Sequence, residues 1–161
     1  MIKPFFKNIL VAVNGSDRSI KAAKYAILMA KMYNCKVSVI YVVDTATIKY
    51  LTLSKFFIQE ESAEYEKSLV QNGENNLKYV EELAASKGIK IEKIMRSGSI
   101  WGEIVAVAQE KSFDAILVGG LEHHPEDNET LSRQAKELII HSPCSVIVVK
   151  EHDIDKLFKL A

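Results

Sequence analysis

Five short apolar runs rich in β-branched residues, at positions 9–13, 37–43, 89–95, 115–118 and 146–149, alternate with segments whose apolar residues return at helical spacing. Residues 9–13 (Ile-Leu-Val-Ala-Val) show no in-and-out alternation, the mark of a strand covered on both faces. The third run mixes Lys90, Glu92 and Lys93 with its isoleucines, as a sheet edge tolerates. After the first run, Asn14-Gly15-Ser16 reads as a turn, and Ser16 or Asp17 is placed to cap a helix. Ile20, Ala23, Ile27 and Ala30 share one face of that helix, and Asn34 ends it. Gly98-Ser99 opens another helix, with Ile100, Ile104 and Ala108 about one turn apart, and a last helix covers roughly 132–141. This order predicts an α/β fold: a doubly wound five-stranded parallel sheet, order 3-2-1-4-5, with helices on both faces.

One stretch departs from the rhythm. Ala63, Val70, Leu77 and Ala84 recur in register with Val80 beside them, so most of 60–86 reads as amphipathic helix. Asn72-Gly73 interrupts it, and a mid-helix glycine costs about 1 kcal/mol relative to alanine, so both a continuous helix and a break are open. The connector at 48–58 is unusually apolar (Ile48, Tyr50, Leu51, Leu53, Phe56, Phe57, Ile58). It is read as a flap on the domain's own core, ahead of a lid over a ligand or a subunit contact.

A chain of 161 residues suits one domain at 1–150, followed by an amphipathic tail at 151–161 carrying Ile154, Leu157, Phe158 and Leu160. Lys+Arg and Asp+Glu both number 21, and no basic block appears. Neither a nucleic-acid partner nor a membrane is therefore expected, and the location expected is cytoplasmic. Lys3 and Lys7 ahead of the first apolar run imitate a secretory leader, but that run is shorter than the ~7–15 residues needed and ends in polar turn residues. Cys35 and Cys144 begin the second and fifth strands without CxxC spacing, which supports no zinc or thioredoxin-like site. In the predicted order their strands lie three positions apart, roughly 14 Å at ~4.8 Å per strand. That exceeds the ~7 Å Cα limit for a disulfide, so both are read as small buried hydrophobes.

The candidate chemistry sits between the fourth and fifth strands. Asp114-Ala115-Ile116-Leu117-Val118 ends at Gly119-Gly120, where a glycine-rich turn and a helix start would hold phosphate. The connector carries Glu122, Glu126, Asp127 and Glu129 instead. Its His123-His124 pair also invites a metal, yet adjacent histidines in a polar loop favour a solvated segment. Asp127, Asn128 or Thr130 can cap the last helix and occupy the amides that otherwise hold phosphate. No nucleophile-and-base arrangement can be read from spacing, and catalysis is not expected.

The segments Asn8-Ile9-Leu10-Val11-Ala12-Val13-Asn14-Gly15-Ser16, Tyr41-Val42-Val43-Asp44, Asp114 through Gly119 and His141-Ser142-Pro143-Cys144-Ser145 resemble the universal stress protein family over nearly the whole chain. The resemblance implies the 3-2-1-4-5 sheet and a homodimer paired through the last strand, at Val146, Ile147 and Val148. It also implies candidate nucleotide-contacting positions at Ala12, Asn14, Val42, Gly119, Ser132 and Arg133. Nucleotide-binding members show Gly-x-x-Gly-x9-Gly-Ser/Thr. Aligned from His141-Ser142-Pro143-Cys144, those positions fall on Gly119, Glu122, Ser132 and Arg133, so only the first matches. The family's Asp at the first turn is Asn14 here. A carboxylate about 4 Å from a phosphate costs roughly 4 kcal/mol at an effective dielectric of 20, and Arg133 is one cation against four acids. The expectation is a stress-response regulatory module that acts as a homodimer on an unknown protein partner, with weak or no ATP binding. The alternative is an ATP- or AMP-binding sensor with a modified phosphate loop, and a nucleotide hydrolase or transferase comes third.

Overall fold

Because both faces of the apolar runs need cover, the chain builds one parallel sheet between two helical layers. The computed structural model describes residues 2–55, 58–119 and 129–161, with side chains from 133 onward in the last stretch. The strands are β1 (Asn8–Ala12), β2 (Lys36–Val43), β3 (Glu92–Ser97), β4 (Ala115–Gly119) and β5 (Ser145–Val149), in the order β3-β2-β1-β4-β5. Ile9 stands between Val37 on β2 and Ala115 on β4, and that register sorts the side chains. Ile9, Val11, Val39, Tyr41 and Leu117 point into a core shared with α1 (Asp17–Tyr33), α3 (Gln59–Ser86) and α6 (Ile154–Leu160). Leu10, Ile40 and Ile116 point the other way, against α4 (Ile100–Glu110) and α5 (Glu129–His141). Each of these fully buried isoleucines and leucines contributes about 1.5–3 kcal/mol relative to exposure.

The third strand starts later than the pattern at 89–95 predicts. Gly88 takes φ 72°, and the Ile89 amide donates to the Ala84 carbonyl at 2.9 Å, closing the end of α3. Ile89 and Ile91 therefore pack under the helix end, and pairing begins at Ser38 with Glu92. The edge character holds, since Glu92 and Lys93 are exposed.

Helix α3 runs unbroken through Gly73. A Cβ at that position would lie 2.6 Å from the Tyr41 ring and 2.7 Å from Met95 Cε, so the glycine lets the helix settle onto β2 and β3. At its start the heptad reading fails by one residue: Ser62 is buried while Ala63 is exposed, because the Thr52 hydroxyl hydrogen-bonds to Ser62.

The first part of the connector, through residue 53, lies in α2 (Thr45–Leu53), capped by Asp44, whose Oδ1 accepts from the Thr47 amide at 3.1 Å. Ile48 is buried, but Tyr50, Leu53 and Ile58 are exposed, so a flap folded onto its own core describes only part of it; Phe56 and Phe57 lie outside the described residues. The tail joins the domain, because Ile154 and Phe158 of α6 belong to the α1 core and Lys24 Nζ donates to Asp155 at 2.7 Å. Cys35 and Cys144 are both free thiols, and burial pushes both up from the ordinary cysteine pKa.

Candidate functional site

The order of strands reverses between β1 and β4. After β1 the chain turns into α1 on one face, and α5, which follows β4, lies on the other. Diverging connections leave a crevice outside the carboxyl ends of the two strands, where open α/β sheets take their ligands. Ala12 ends β1, Gly119 ends β4 and Val42 lies near the end of β2, all three half-buried. Ala12 and Val42 both pack toward the α4/α5 layer, so they present adjoining apolar surface on one side of the crevice.

Asn14 opens the exposed turn above it. Its Oδ1 accepts from the Ser16 amide at 3.0 Å, and its own amide donates to Ser19 Oγ at 3.2 Å. Ser16 Oγ in turn accepts from the Ser19 amide at 3.2 Å and so caps α1. The expected capping choice between Ser16 and Asp17 falls to Ser16, because its extended backbone lets the hydroxyl reach back to the helix. Two amides at the start of α1 are thus already engaged by the chain's own side chains. Gly15 holds φ 88°, a left-handed geometry that glycine adopts without strain, and Asn76 of α3 packs against it.

Gly119 has a reason to be glycine apart from any phosphate. A Cβ there would stand 2.9 Å from both the carbonyl carbon and the oxygen of Arg18, so β4 meets the first turn of α1 at backbone distance.

The structure brings Ala12, Asn14, Val42 and Gly119 to one edge of the sheet. Ser132 and Arg133 lie on α5, with Arg133 exposed; the Ser132 side chain is outside the described residues. Glu122, His123, His124, Glu126 and Asp127, and with them the metal and helix-cap readings, also lie outside them. Among the described residues no three His, Cys, Asp or Glu side chains gather as a metal site.

Other groups here are not read from the sequence as site residues, and Gly98 is read only as a helix opening. Gly98, at φ 145°, donates its amide to the Val43 carbonyl at 3.0 Å and leaves room for Glu103, which pairs with Arg96 at 3.0 Å. Gln134 of α5 accepts from the Trp101 amide at 3.1 Å, and the Trp101 ring stacks on His141 with centroids 4.8 Å apart. These contacts tie α5 to the first turn of α4 across a sequence gap of 33 residues, which no local pattern reveals.

Comparison with known proteins follows the same outline. The model of the universal stress protein family matches residues 5–150. A universal stress protein from Methanocaldococcus jannaschii, MJ0531, is 34% identical over 147 residues, covering 91% of this chain and 83% of that protein. Universal stress protein YxiE from Bacillus subtilis is 30% identical over 151 residues, covering 90% of this chain and 99% of its own length. Among solved structures, hypothetical protein MJ0577 superposes with a TM-score of 0.71 at 23% identity, covering 92% and 98% of the two chains. A universal stress protein in complex with cAMP gives 0.67 at 18% identity, over 91% of this chain and 99% of that one. One from Archaeoglobus fulgidus in complex with dAMP gives 0.63 at 18%, over 91% and 100%. At these identities the structural matches establish the fold.

Proposed function

Since the chain belongs to the universal stress protein family, we propose that it is a stress-response regulatory module that works as a homodimer through protein contacts and binds ATP weakly or not at all. The observation that carries this reading is the state of the α1 start. Ser16 and Asn14 side chains take the Ser19 and Ser16 amides, at 3.2 and 3.0 Å, where a phosphate would otherwise find donors. The acidic composition of residues 120–129 supports it, because four carboxylates facing a triphosphate would cost several kcal/mol. About 1.4 kcal/mol is a decade in affinity, so such a penalty moves a micromolar site to millimolar.

A second reading is favoured by the relatives solved with cAMP and dAMP, each a single-phosphate adenine nucleotide. Ala12 and Val42 offer apolar surface for a base, and one phosphate places less charge near the acids. On this reading the crevice is an adenine-nucleotide sensor that favours AMP-like ligands over ATP.

Denaturing freshly purified protein, chromatographing the supernatant for adenine nucleotide, and titrating ATP, AMP and cAMP with and without Mg²⁺ separates the two. Neither released nucleotide nor measurable affinity is the result expected of a protein-contact module. Saturable AMP or cAMP binding with ATP at least tenfold weaker supports the sensor. Stoichiometric bound ATP, or micromolar ATP affinity, removes the protein-contact module and leaves an ATP-binding sensor.

A further inference from the structure

At the opposite end of the sheet from the crevice, where the parallel strands begin, exposed apolar side chains stand among lysines. Phe5 is 88% exposed, Leu160 76%, Met32 69% and Tyr33 63%. Hydrogen bonds and chain continuity hold these separated positions at one end. The Lys36 amide donates to the Lys7 carbonyl at 2.8 Å, so Phe5 enters beneath the start of β2. Met32 and Tyr33 end α1, which leads through Asn34 and Cys35 into that same Lys36. Lys31 Nζ donates to the Ala161 carbonyl at 2.6 Å, which sets Leu160 beside the last turn of α1.

Lys7, Lys31, Lys36 and Lys159 are all exposed here. Two nearby carboxylates are engaged: Asp114 Oδ2 accepts the Lys7 and Asn8 amides at 2.8 Å each, and Asp155 accepts from Lys24 at 2.7 Å. Asp114 keeps its negative charge in those bonds, but four lysines outnumber it, so a chain with no net charge carries a positive end.

We propose that this end is a docking surface for an anionic lipid bilayer. Phe5, Met32, Tyr33 and Leu160 enter the interfacial layer while the lysines meet headgroup phosphates, the division of labour of peripheral membrane contacts. Charge complementarity selects the occupant. A second copy docked through the same surface would set lysine against lysine, whereas a negatively charged leaflet attracts all four. The crevice lies at the far end of the strands and stays open to solvent in the docked state.

The test is co-sedimentation of the full chain with vesicles of pure phosphatidylcholine and of phosphatidylcholine mixed equally with phosphatidylglycerol. Binding is expected on the mixed vesicles alone, weakening as salt is raised. Each lysine neutralised should lower partitioning about fivefold, so K7Q/K36Q loses about twenty-five-fold. F5S should also weaken binding, and K49Q/K55Q, on α2 and in the turn just after it, should match the parent. All these side chains are exposed, and unchanged thermal unfolding midpoints will show that the variants fold. Equal binding to both vesicle types, no binding to either, or K7Q/K36Q binding like the parent overturns the proposal. So does lipid-independent self-association abolished by F5S, which would give the surface to a second copy.

Discussion

Gly73 shows how far one residue's meaning depends on partners distant in sequence. Helix propensity alone makes Gly73→Ala favourable by about 1 kcal/mol. The Tyr41 ring 2.6 Å from the added Cβ reverses that sign, because Tyr41 is only 6% exposed and has little room to yield. Overpacking of this kind costs about 1–3 kcal/mol, so Gly73→Ala is expected to lower stability by about 1 kcal/mol net in urea unfolding. An unchanged or raised midpoint would mean that the helix lifts off the sheet at no cost. Gly119→Ala meets backbone rather than side chain, at 2.9 Å, and should be the more damaging of the two. Asp114 accepts two amides at 2.8 Å and so clips the start of β1 to the start of β4; Asp114→Ala should cost about 1.5–3 kcal/mol by the same assay. By contrast, the Asn14-Gly15-Ser16 turn was legible in the sequence, since its hydrogen bonds join residues at most five apart.

Among the elements, α6 carries a pH signature. The hydrogen bond from Lys24 holds the Asp155 carboxyl below the usual carboxylate range, and Lys111 does the same for Glu92. Both folded-state values are depressed, so the stability they supply is complete above the unfolded-state pKa. It disappears as pH falls through the folded-state value. Asp155 has a side chain 52% exposed, so screening keeps its share below about 1 kcal/mol. Urea midpoints should separate parent from Asp155→Asn at neutral pH and draw together as pH falls below the ordinary Asp value. A gap that persists or widens in acid would place the contribution of Asp155 outside the Lys24 pair. The elements themselves were readable where apolar period and cap agreed, as in α1, or where a clear helical period followed a Gly-Ser turn, as in α4. They were misread where isoleucines served a helix end, as Ile89 and Ile91 do, because periodicity registers burial without saying against what.

For the molecule as a whole, the open question is the subunit contact at β5. Ile147 packs against the α1 core, so changing it would disturb the fold along with any interface. Val146 lies half-buried on the opposite face of that strand and outside the packed clusters, which makes it the cleaner probe. If the family's last-strand pairing applies, Val146→Lys should shift the protein from dimer to monomer in sedimentation velocity with its unfolding midpoint retained. A persistent dimer would move the interface elsewhere, with exposed Ile140 of α5 as the next surface to change.

By itself the sequence determined the strand order, the helices other than α2, the cover on both faces of the sheet and the family, because those depend on patterns among near neighbours. The family resemblance also pointed to Ala12, Asn14, Val42 and Gly119, which the fold brings together at the carboxyl ends of the strands. Tertiary structure alone decided which glycines are packing requirements and that scattered lysines converge on one end of a neutral chain. The physical reason is range. Backbone preference and hydrophobic period act over a few residues, whereas the contact of Gly119 with Arg18 exists only once the sheet has set β4 against α1.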